Sequence, residues 1–145
     1  MAQKPKEKKK RGKPVRVFLV IRVGLCEEVY ELKHNKTVRI MTTLNVGHQD
    51  KMTIVYLDQN GNPMQSPVTP DAPPSWSNSP NPPDCDTFVV ASDGNSAILT
   101  AVAEGSDTVN LSVTVNGKTF AAVDMITIVA APQVLTSVSI ADNVT

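Results

Sequence analysis

The segment Thr108–Gly117, "TVNLSVTVNG", alternates strictly: Val109, Leu111, Val113 and Val115 fall on one side, and Asn110, Ser112, Thr114 and Asn116 on the other. A period of two is the repeat of a strand with one face buried, and a helix would scatter these apolar residues around its circumference. Asn116-Gly117 is the pair favoured in a two-residue type I′ turn, because both residues tolerate positive φ. The chain must then return antiparallel through residues 118–130, where Phe120, Ala122, Ile126 and Ile128 share a face. Asp124 falls on that same face, and a β-bulge that turns it outward is the expected repair.

The rest of the chain after Met41 repeats this grammar. Residues 52–58, 74–79 (around Trp76), 86–92 and 96–103 read as short strands. Asn60-Gly61, Asp93-Gly94-Asn95 and Glu104-Gly105-Ser106-Asp107 supply the turns between them. Prolines crowd residues 63–84, and a central strand cannot carry them because each lacks a ladder donor. That run is expected as an extended loop flanking the Trp76 strand. Nothing beyond Met41 shows a capped amphipathic helix. The pattern predicts an all-β fold, an Ig-like antiparallel β-sandwich of about seven strands over residues 41–131, with Trp76 as a core anchor.

Charge divides the chain sharply. Residues 1–40 carry twelve Lys/Arg and four Asp/Glu, a net of +8, whereas residues 41–145 carry two and ten, a net of −8. An acidic segment with two lysines cannot bind a polyanion by neutralising phosphates, so nucleic-acid contact is confined to the basic arm. Residues 1–14 are expected to be a disordered basic tail. Residues 15–40 form an N-terminal extension. In it Val15, Val17, Leu19, Ile21 and Val23 alternate as a strand, on which "EEVYELKHNKTVRI" could pair back as a hairpin. Arg16 and Arg22 break the apolar run, and Val15–Leu25 is too short for a membrane span, so a signal peptide or transmembrane segment fits less well. The charge inversion at Met41 offers a second reading, in which residues 1–40 are a non-native upstream segment and 41–145 fold alone. Residues 132–145 form a strand-like C-terminal tail.

The residue inventory points away from catalysis. Cys26 and Cys85 lie far apart, and His34 and His48 stand alone without metal-ligand spacing. Cys85 sits between Asp84 and Asp86, whose charge should raise its thiol pKa and blunt its reactivity. Asp58, Asp93, Glu104 and Asp107 read as turn residues rather than a cation site. The Asn-x-Ser/Thr triplets at Asn35, Asn110 and Asn143 read as chance matches. No catalytic, cofactor-binding or metal-ligating residues are expected, and no cofactor.

With "PSWSNS" at 74–79, "VVASDGNSAILTAVAEGSDTVNLSVTVNGK" at 89–118 and "ITIV" at 126–129, the chain resembles the group-two bacterial Ig-like domains. Trp76-Ser77 takes the Trp-Ser position, Gly105 the glycine turn, and Leu111 the place of the usual Ile. The segments Asp58–Pro63, Pro74–Trp76 and Ala91–Ala97 are most similar to the small Ig-like proteins of tailed bacteriophages. The resemblance covers roughly residues 42–140. It implies a non-enzymatic display or adhesion module: a virion accessory (head-decoration or tail-associated) protein docking on a capsid or tail protein, with weak glycan binding a further expectation. The alternative is one module of a bacterial surface or secreted adhesin, binding a cell-surface component. Adhesin modules come as tandem repeats, and the single copy here favours the virion reading.

Overall fold

The structure, a computed structural model, describes residues 15–133. The expected basic tail (1–14) and most of the C-terminal tail (134–145) lie outside the described residues. Nine strands follow one another: β1 (Arg16–Val23), β2 (Cys26–Leu32), β3 (Thr37–Asn45), β4 (Gln49–Leu57), β5 (Ser75–Asn78), β6 (Asp86–Val90), β7 (Ser96–Ala101), β8 (Gly105–Val115) and β9 (Lys118–Val129). They form two sheets, β2-β1-β4-β7-β6 and β3-β9-β8-β5. Every pairing is antiparallel except β3 with β9, which is parallel.

The order β1-β4-β7-β6 over β9-β8-β5 is that of a seven-stranded Ig sandwich, in which the sheets A-B-E-D and G-F-C face each other. β1 occupies the first position of its sheet, β2 is added outside β1, and β3 is added outside β9. The all-β sandwich expected from the sequence is therefore present, with nine strands in place of about seven.

The two additional strands come from the N-terminal region. β1 pairs with β4 over its whole length, from Arg16 opposite Leu57 to Val23 opposite Asp50. β2 pairs back on β1 from Val17–Leu32 to Val23–Cys26, as a hairpin. Val17, Leu19, Ile21 and Leu32 are buried in the common core. Arg16 also crosses to β2, where its guanidinium holds Glu31 in two 3.0 Å hydrogen bonds; with help from Lys33, it keeps that carboxyl down at about 2. The division expected at residue 41 is not a boundary of the fold, because β3 runs through it. The charge inversion is real, but charge is a property of exposed side chains, and the inward-facing residues of β1 alternate just as those of β8 do.

The long hairpin follows its sequence pattern. Val109, Leu111, Val113 and Val115 are all buried, facing the core beside Phe120, Ala122, Ile126 and Ile128. Asn116 and Gly117 both have positive φ, 52° and 76°, as a type I′ turn requires. The turn is gripped from outside: Asp71, in the proline-rich loop, accepts hydrogen bonds from the Asn116 and Gly117 amides at 3.1 and 2.8 Å. The expected bulge at Asp124 is absent. The β8–β9 register runs unbroken from Gly105–Ile128 to Val115–Lys118, and Asp124 stays on the inner face, 2% exposed.

Trp76 is half-buried rather than wholly enclosed. Its indole N–H donates to the Gly94 carbonyl at 2.7 Å and its ring lies 6.4 Å from that of Phe88, so it ties β5 to the opposite sheet. Gly105 is required for a different reason. A Cβ there would sit 2.6 Å from the Asn81 carbonyl oxygen and 2.9 Å from Cys85 Cβ, where backbone cannot yield. Gly105→Ala should cost about 1–3 kcal/mol through overpacking, read as a lowered midpoint in urea.

Loss of β1 should be far more damaging. Leu19→Ala is expected to cost about 2–5 kcal/mol, and a chain of residues 41–145 should show no cooperative thermal transition. A sharp transition for 41–145 at the temperature of the full chain would contradict the topology described above.

Candidate functional site

Three places concentrate polar or apolar groups where a sandwich does not need them. The first is a cleft at the edge of the sandwich. The inward-facing residues of β2 grade from exposed Cys26 and Glu28, through half-buried Tyr30, to buried Leu32. The two sheets are thus shut at the Leu32 end and splayed at the Cys26 end. A cavity of about 210 Å³ opens there, lined by Ile21, Val23, Cys26, Glu28, Met41, Thr42 and Thr43. Tyr30 donates its hydroxyl to Glu28, and this bond, with burial second, pushes the phenol up to about 12. Thr42 turns its hydroxyl inward and donates to Asp124 Oδ2 at 3.0 Å.

Behind Thr42 lies the least expected feature of the interior. Asp124 of β9 and Asp50 of β4, 2% and 0% exposed, face each other across the two sheets. A second carboxyl pair lies toward the opposite edge. Asp107 accepts from the Asn78 side-chain amide (2.9 Å) and the Ser79 backbone N–H (2.8 Å). Asp86 is pushed up to about 6, first by burial and then by the neighbouring Asp107 carboxyl. Cys85 is fully buried beside them, its Sγ 3.7 Å from Asp86 Oδ2 and 3.6 Å from the Ser106 carbonyl. Its thiol is raised, as its neighbours suggested in sequence, although burial is the larger cause and Asp86 the second. This second pair stitches β5 and the 79–85 loop onto β8.

The third place is the outer face of the five-stranded sheet. A shallow depression of about 300 Å³ is lined by Val20, Arg22, Glu27, Lys51, Thr53 and Val55. Val20 pairs directly with Val29, which is 57% exposed. Arg22 and Glu27 form an ion pair at the rim.

No protein-family model matches the chain, and no curated protein matches it. Among solved structures it is similar to domains 4 and 5 of the S-layer protein SbsC, with a TM-score of 0.40 and 15% identity over 74% of this chain and 61% of that one. It is also similar to surface layer protein SbsC, domains 1–6, with a TM-score of 0.42 and 14% identity over 84% of this chain and 17% of that one. The chain spans less than two thirds of the length of either.

The residues weighed in sequence are dispersed. Asp58 and Asp93 are turn residues in the strict sense: Asp58 accepts from the Asn60 and Asn62 amides, and Asp93 from that of Asn95. Cys26 is exposed on β2 and Cys85 is buried by β6, and both are free thiols. Among the described residues no three His, Cys, Asp or Glu side chains converge as a metal site. The pairing of these carboxyls is absent from the sequence reading, and Asp107, expected there as a turn residue, instead lies buried within β8, 2% exposed. Asp50 precedes Met52 and Ile54, and Asp107 precedes Val109 and Leu111, at the strand period. Each aspartate simply continues an apolar face by one more step.

Cys26 should react with a soluble alkylating reagent in the native protein, and Cys85 only after unfolding. Mass spectrometry of tryptic peptides after brief iodoacetamide treatment reads this directly. Equal labelling of both thiols without denaturant would contradict the burial of Cys85.

Proposed function

We propose that this chain is a non-enzymatic docking module, displayed on a surface and holding a protein partner on the outer face of its five-stranded sheet. The observation that carries the proposal is the composition of that face. An antiparallel sheet with one face in water normally alternates apolar-in with polar-out. Here Val20, Val29 and Val55 point outward together, ringed by Arg22, Glu27 and Lys51. An apolar centre with a charged rim is the anatomy of a protein interface. The rim carries both signs of charge, so it suits a partner of mixed charge and gives an extended polyanion no continuous basic track. The centre is aliphatic, which suits a protein better than a sugar ring.

The setting we propose is a bacterial cell surface or secreted assembly. The resemblance of Asp58–Pro63, Pro74–Trp76 and Ala91–Ala97 to phage Ig-like proteins supports a second setting, a tailed-phage virion, in which the same face would meet a capsid or tail protein. In either setting the sandwich supplies shape and stability, and the chemistry of recognition is confined to one sheet.

Co-sedimentation of the full chain with bacterial envelope fragments and with tailed-phage particles separates the two settings. Val20→Thr combined with Val29→Lys should reduce retention at least tenfold on whichever particle binds, with the circular dichroism spectrum unchanged. Undiminished retention of the folded double variant would remove this face from the proposal. Turnover of a glycan or peptide substrate by the purified protein would overturn its non-enzymatic character.

A further inference from the structure

Asp50 and Asp124 are placed where ionised carboxylates are hard to sustain. Asp50 lies between Val23 of β1 and Leu99 of β7 in the register of its sheet. Asp124 lies between Ile40 of β3 and Val109 of β8. Asp124 Oδ2 accepts from Thr42. Both oxygens of Asp50, and Oδ1 of Asp124, are buried without a hydrogen-bond partner among the described residues. Among the described residues, the charged and titratable groups acting on the pair are each other and, for Asp124, Glu28 of β2, with the phenol of Tyr30 also in range, and no cation is among these. β1, β7 and β8 flank the pair in register with apolar residues. Two bare carboxylates in such a place would repel each other and forgo hydration without compensation. One proton between them removes the repulsion and joins two of the three orphaned oxygens in a strong O–H···O bond.

We infer that Asp50 and Asp124 share a single proton and act as a proton-dependent clamp between the two sheets of the sandwich. Asp50 carries the proton and donates it toward Asp124, which already accepts from Thr42. The same asymmetry holds for their acidities: Asp50 is pushed up to about 7 by burial first and Asp124 second. Asp124 is raised by burial, while the hydrogen bond from Thr42 and the proton carried by neighbouring Asp50 pull it back. Because the folded value of Asp50 lies above its ordinary 3.8, the clamp contributes fully below that value and is lost as pH rises through about 7. The folding equilibrium constant should therefore fall by up to about tenfold per pH unit between those limits. Thr42 lines the edge cleft as well as touching Asp124, so the clamp closes the sandwich directly behind that opening.

The test is urea denaturation of the full chain at pH 5.5 and 8.5, in an Asp86→Asn background so that the other raised carboxyl does not contribute. The unfolding midpoint should drop at the higher pH. Adding Asp50→Asn, which mimics the protonated carboxyl, should raise the midpoint at pH 8.5 and leave little pH dependence. Because a substituted core can fail to fold, carboxyl ¹³C NMR of the unsubstituted protein provides a second reading. One aspartate of the pair should titrate near neutrality. Ionisation of both near 4, or an Asp50→Asn midpoint lowered equally at both pH values, would overturn the clamp.

Discussion

Closure of two sheets over one dry interior is the constraint from which the other properties of this chain follow. Seven of the nine strands of the described residues place fully buried apolar side chains there; β5 contributes half-buried Trp76 and β6 half-buried Phe88. The interior does not respect the chain's division into a basic and an acidic part. Leu19 and Ile21 from the first part face the same core as Leu44, Met52 and Ile126 from the second. Removing one contributor leaves a face of the other sheet uncovered, which ties β1 to the fold however different its surface charge.

The same dryness explains why the interior carboxyls are the chemically unusual groups. A carboxylate on the surface is hydrated and ordinary. Moved between two apolar sheets, it must find donors or keep its proton. Asp107 takes the first course, with the Asn78 amide and the Ser79 N–H. Among the described residues Asp50 has no such donors, and Asp86 keeps Oδ1 unpartnered with the Cys85 thiol on Oδ2; both take the second course. Both pairs therefore stabilise the folded state most below about 3.8 and lose that contribution as pH rises through about 6 and about 7. The Arg16–Glu31 pair on the half-exposed outer face has the opposite linkage, since that carboxyl is lowered and its contribution is lost as pH falls from 4.5 through about 2.

Much of this was legible in the sequence, for reasons that particular residues make plain. The β8–β9 hairpin could be read because period-two alternation and Asn116-Gly117 are local signals that need no tertiary information. The hairpin of β1 and β2 was equally legible as alternation, but its position beside β4 was not, because strand order is set by long-range packing. Asp124 was seen on the apolar face and assigned a bulge. That repair is correct for an isolated charge, and it failed because Asp50 waits on the opposite sheet. Asp50 falls outside the strand expected at 52–58, because the strand begins three residues earlier, at Gln49. The outward valines at 20, 29 and 55 became a patch only once β2, β1 and β4 were adjacent. Alternation sets Val20 on the face opposite Leu19 and Ile21, but it does not say which strands lie beside it.

Proton release on unfolding tests the central claim most directly, because it counts the protons that the dry interior retains. The full chain, denatured by urea in weakly buffered solution at pH 6, should release roughly one to two protons per molecule, since Asp50 and Asp86 hold theirs in the folded state at about 7 and about 6. Release in that range is the result predicted. No release, or net uptake, would mean that the interior aspartates are ionised in the folded protein, and the account of a dry, proton-bridged sandwich would be wrong.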